Sequence, residues 1–71
     1  MTHYAYINDK TGCVIAMLLE DEWFPMINND REFIESLRPH AIMAGIMDNA
    51  KIKLVTIEIT ETLEVFEPPP P

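Results

Sequence analysis

Two glycines, one cysteine and five cations are all that this chain of 71 residues holds of those types, and each shortage closes off a class of function. With only Gly12 and Gly45, a glycine-rich loop cradling phosphates cannot be assembled. The lone Cys13 has no partner for an intrachain disulfide, which excludes a secreted disulfide scaffold. His3 and His40 lie far apart, so no metal-ligand pair stands at zinc spacing. A thiolate at Cys13 would need a base fixed within hydrogen-bond reach, and nothing in the sequence fixes one. A cysteine heading an apolar run reads instead as a small core residue. Carboxylate pairs are so abundant that no single pair is informative. These shortages point to a non-enzyme without metal or cofactor.

The N-terminus lacks the basic start and apolar run of a signal peptide. The longest apolar run, Cys13 to Leu19, is far too short to cross a bilayer. A cytoplasmic protein is expected, and the natural-looking ends read as a complete small gene.

Charge is the second bound. Twelve Asp and Glu against five Lys and Arg give a net charge of −7. Such a surface repels phosphate backbones and anionic lipids, which argues against nucleic acid or membrane and for a protein with a basic surface as partner. The cations are Lys10, Arg31, Arg38, Lys51 and Lys53; everything after Lys53 is purely acidic, with Glu58, Glu61, Glu64 and Glu67. The plain alternative is a face kept charged for solubility.

Hydrophobic patterning predicts an α+β domain. Thr2 to Ile7 reads as a first strand, and Asn8 to Gly12 as the turn of a hairpin leading into a second strand, Cys13 to Leu19. That strand is apolar at every position, which predicts burial on both faces or a face given to another chain, a homodimer among the options. Glu20 to Pro25 reads as a loop. Asn29 is placed to cap a first helix from Asp30 to about Arg38, with Glu32 completing a capping box and Phe33, Ile34 and Leu37 buried. Pro39 suits the first turn of a second helix running to Met47, which buries the stripe Ile42, Met43, Ile46 and Met47. Gly45 within that stripe suggests a close neighbour.

From Val55 the chain alternates. Val55, Ile57, Ile59, Leu63 and Val65 fall on one face, interrupted by Glu61, with Thr and Glu on the other, so a final strand runs from Ile52 toward Glu67. Leu54 and Val55 are adjacent apolar residues where the phase changes, which suggests a bulge. The whole is a small two-layer domain in ββααβ order over residues 1–67, an antiparallel three-stranded sheet with one or two helices on one face, followed by a proline tail at 68–71.

The strongest candidate site is Asp21, Glu22, Trp23 and Phe24, the only tryptophan beside a phenylalanine after three consecutive acids. Aromatic anchors dominate interface energetics and charge steers encounter. The competing role for Trp23 and Phe24 is to plug the open face of the sheet. Glu58 and Glu64, on the acidic face of the last strand, are a second candidate surface, able to orient a basic partner or to guard an exposed edge. These features suit a small acidic regulator or inhibitor of the kind encoded by phages and mobile elements, docking on a nucleic-acid-handling machine such as RNA polymerase, a nuclease or a defence complex. An acidic DNA mimic and a self-assembling structural subunit are the alternatives.

Overall fold

The computed structural model describes residues 1–70, and Pro71, the last residue of the expected proline tail, lies outside them. Seven elements follow in order: β1 (Thr2–Asn8), β2 (Ala16–Leu19), β3 (Glu22–Pro25), β4 (Ile27–Asn28), α1 (Arg31–Ser36), α2 (Arg38–Asp48) and β5 (Ile52–Glu58). The chain is a small α+β protein. Its main sheet is three-stranded and antiparallel in the order β4-β1-β5, and β2 and β3 form a second, two-stranded sheet.

The reversal after β1 uses Asn8 and Gly12. The Asn8 carboxamide oxygen accepts from the amides of Lys10 and Thr11, the Gly12 amide donates to the Asn8 carbonyl, and Gly12 takes a φ of +73°. An asparagine that bonds its own following backbone and a glycine free to go left-handed are what a short reversal needs. The returning segment pairs with β1 only briefly, through the bridge Ile7↔Val14. It then turns away to become β2, and β4 rejoins the same edge of β1 at Ala5↔Ile27 and Tyr4↔Asn28. One edge of β1 is thus shared by two pieces of chain, and the hairpin Ala16–Pro25 projects from the gap between them.

The gap is closed by a ring of three backbone hydrogen bonds. Tyr6 donates to the Met26 carbonyl at 3.1 Å, Met26 to Ile15 at 2.9 Å, and Ile15 to Tyr6 at 3.0 Å. All three residues are buried, so every main-chain donor and acceptor that the junction takes from water is repaid within it. Their side chains form the core with Ile34, Leu37 and Ala41. The Tyr6 hydroxyl reaches through that core to donate to the Ile34 carbonyl at 2.9 Å.

Helix α1 is capped by Asp30, whose carboxylate accepts from the amides of Glu32 and Phe33. The expected cap at Asn29 is therefore displaced by one residue, to the group whose negative charge also suits a helix start. Ile34 and Leu37 are buried as their spacing implies, whereas Phe33 is exposed. Pro39 stands in the first turn of α2, and Asn49 ends the helix in the left-handed conformation.

Four expectations give way. The second strand is not buried on both faces: Leu18 and Leu19 are exposed because they lie on the projecting hairpin, and Cys13 is exposed in the turn region rather than in the core. Helix α2 is turned the other way round. Ala41 is buried and Ala44 partly so, while Ile42, Met43, Ile46 and Met47 all face solvent, Met47 at 78% exposure. Space decides this orientation, for a Cβ on Gly45 would stand 3.0 Å from the Ala50 carbonyl oxygen and from Ile52 Cγ1. Only small side chains fit where α2 meets β5. The bulge at Leu54 and Val55 is absent, since β5 pairs one-to-one with β1 from Asn8↔Ile52 to Thr2↔Glu58; the two residues simply face opposite sides of a regular strand. Finally, β5 stops at Glu58, where the ladder with β1 ends, and Ile59 to Pro70 carries no secondary structure.

Exposed apolar side chains and a loose end enlarge the surface. It measures 5924 Å², against roughly 4,500 Å² for a compact monomer of this mass. The radius of gyration, 14.4 Å, likewise exceeds the roughly 11 Å of a compact chain of this length.

Two substitutions separate inside from outside. Met26→Ala removes a fully buried side chain at the junction and is expected to cost about 2–5 kcal/mol in urea unfolding, a large share of a small domain's stability. Met47→Ala, in the stripe that periodicity alone would bury, is expected to change stability by less than about 0.5 kcal/mol. A comparable loss at both positions would mean that α2 packs in the opposite orientation.

Candidate functional site

The stretch that reads as an acidic loop is a tight β-hairpin. Strands β2 and β3 pair in the register Ala16↔Pro25, Met17↔Phe24, Leu18↔Trp23 and Leu19↔Glu22, leaving Glu20 and Asp21 as a two-residue turn. Both turn residues have positive φ, 49° and 65°, the arrangement of a type I′ turn, whose twist matches that of the flanking strands. Neither residue is the Asn or Gly that this turn favours, which is why sequence reasoning missed it. Pro25 does not prevent pairing, because it ends the strand and needs to donate nothing further.

The hairpin determines what its aromatics do. Trp23 is 69% exposed and Phe24 is also exposed, so neither plugs the main sheet. Trp23 stands across from Leu18, and this pair forms one wall of a groove whose other wall is α2, with Met43, Ala44 and Met47. Ala16 and Met17 also line it, as do His40 and Asp48. Apolar groups therefore dominate the lining. The three acids Glu20, Asp21 and Glu22 are exposed at and beside the hairpin tip.

Four of the candidate residues, Asp21, Glu22, Trp23 and Phe24, are thus brought together on one hairpin. Glu58 and Glu64 are not part of it. Glu58 ends β5, in the other sheet, and receives a hydrogen bond from the Thr2 hydroxyl. Glu64 is exposed in the segment beyond β5. Sequence reasoning missed Met43 and Met47 as site residues because it assigned them to the core; their number and helical spacing were the available signal.

A second groove lies on the other side of α2, where Ile42, Gly45 and Ile46 face Ile52, with Lys10 and Lys51 at its margin. Beside it the Lys53 ammonium meets the Asp9 carboxylate at 2.6 Å. That hydrogen bond and charge hold the Asp9 carboxyl below the ordinary carboxylate range. Among the described residues no three His, Cys, Asp or Glu side chains converge on a point that could hold a metal ion. No helix among them is long and apolar enough to cross a membrane. No protein-family model matches the chain, and no curated protein or solved structure shows significant similarity to it.

The turn geometry is open to test. Replacing Glu20-Asp21 by Asn-Gly supplies residues suited to positive φ and is expected to raise stability by about 0.5–1 kcal/mol in urea unfolding. A loss of stability would mean that the two acids are not in a type I′ turn.

Proposed function

We propose that this chain is a non-enzymatic protein-binding module that seats an apolar, basic segment of a partner protein in the groove between the β2–β3 hairpin and α2. The observation that carries the reading is Trp23, a large aromatic standing exposed on a short, tightly turned hairpin beside the outward methionines of α2. Soluble monomers rarely leave such apolar surface contiguous and uncovered, and where they do it commonly marks an interaction site. A rigid aromatic supplies contact area at little entropic cost, and methionines adapt their shape to what they meet. The acids at the hairpin tip would steer a basic partner toward the groove and reject acidic ones.

In this reading Trp23 is the anchor, Leu18, Met43 and Met47 complete its apolar surroundings, and Asp21 and Glu22 select for charge. Phe24, paired with Met17 across the hairpin, supports the strand that carries Trp23. The net charge favours a partner that itself handles nucleic acid and so presents a basic surface, as RNA polymerase, nucleases and defence complexes do. A DNA mimic fits less well. The acids are scattered, with Glu20, Asp21 and Glu22 at the hairpin tip, Glu58, Glu61, Glu64 and Glu67 at the other end of the chain, and Asp9, Asp30, Glu32, Glu35 and Asp48 elsewhere, while apolar side chains dominate the groove beside α2.

Affinity capture from lysate, read by mass spectrometry, tests the proposal with wild type, Trp23→Ala and Met47→Ala. One basic protein retained by wild type is expected to bind Trp23→Ala about thirty-fold more weakly or worse, with Met47→Ala weaker by a smaller factor. Circular dichroism should show both variants folded, since both side chains are exposed. Undiminished capture by folded Trp23→Ala would overturn the groove as the binding site.

A further inference from the structure

Strand β5 forms one edge of the main sheet, so its inner side pairs with β1, and among the described residues no strand pairs with its outer side. Beyond Glu58 the same face carries Ile59, then Glu61, then Leu63, with Ile59 and Leu63 both exposed, Leu63 at 87%. An exposed edge followed by an exposed, β-patterned segment is a template for pairing with another chain. The segment is poorly suited to folding back on its own β5. From Glu58 to Glu67 it contains no Gly, Asn, Asp or Pro, and a tight hairpin needs residues that accept positive φ.

We propose that a second copy of this chain covers this edge, the two copies pairing antiparallel about a two-fold axis through Ile57 and extending each β5 by the residues up to Thr62, the position opposite Ile52. The sequence is self-complementary about that point. Lys53 falls opposite Glu61 of the second copy, Val55 opposite Ile59, and Ile57 opposite itself. On the other face Leu54 falls opposite Thr60. Within Ile52–Thr62, sliding the register one step either way leaves no unlike charge pair: Lys53 meets Ile59 and Leu54 meets Glu58, or Val55 meets Glu61 and Glu58 meets itself. Opposite charges directly across a strand pair stabilise it, and the period-2 alternation of the strand keeps the apolar residues on one face. Lys53, already held by Asp9, is exposed and faces the same side of the sheet as Val55 and Ile57. This interface does not involve the groove beside Trp23, so the two proposals stand or fall separately.

Sedimentation equilibrium of the full chain tests the pairing. Wild type is expected to be a dimer. Lys53→Glu and Glu61→Lys each place like charges opposite one another twice, and each alone is expected to weaken dimerisation by about ten-fold. Mixing these two variants in equal amounts restores both unlike pairs and is expected to recover a heterodimer. Thr60→Pro lies outside the β1–β5 ladder, so the domain should stay folded while the dimer is lost. A wild type that remains monomeric at NMR concentrations would overturn the proposal. So would a dimer unmoved by Thr60→Pro, or charge variants that fail to recover when mixed.

Discussion

Everything in this small fold depends on the ring of hydrogen bonds among Tyr6, Ile15 and Met26. A hairpin inserted into the edge of a sheet interrupts the ladder and strands polar backbone groups in an apolar interior, where each unpaired group would cost about 1–3 kcal/mol. The ring removes that cost by having each of the three residues both donate to and accept from its neighbours. It also fixes the three side chains around which Ile34, Leu37 and Ala41 assemble. The hairpin can project from the body because its base is satisfied without it.

A core so small leaves little to cover the remaining apolar residues, and its geometry decides which of them are left out. Helix α2 approaches β5 so closely at Gly45 that its small face must turn inward. Its bulky stripe then lies outward, between the hairpin on one side and β5 on the other. The exposed methionines are thus a consequence of that packing, and they come to lie beside Trp23 on the projecting hairpin. Function in this reading uses what the core has no room for.

Local chemistry was legible in the sequence where a residue's own backbone preference decides the outcome. Asn8 and Gly12 make the first reversal, Pro39 opens α2, and the α+β class with a three-stranded antiparallel sheet follows from the strand and helix patterns. Orientation was not legible. Ala41, Ala44 and Gly45 define one face of α2, and Ile42, Met43, Ile46 and Met47 define another; hydrophobicity favours burying the second, but the distance to Ala50 and Ile52 selects the first. The β2–β3 hairpin was hidden because Glu20 and Asp21 adopt positive φ without the usual residues. The end of β5 was hidden because alternation says which residues share a face but not whether a partner strand is there to meet them. At the candidate site, Trp23 with its neighbouring acids stood out as an aromatic set among charges, whereas Met43 and Met47 could be assigned to it only once the helix was seen from outside.

The junction should be the most firmly held part of the molecule, and native-state hydrogen exchange measures that directly. The amides of Tyr6, Ile15 and Met26 should exchange only through global unfolding, with one shared free energy, while the hairpin amides of β2 and β3 open more readily. Exchange at the three ring amides as fast as in the hairpin would contradict the claim that this ring organises the fold.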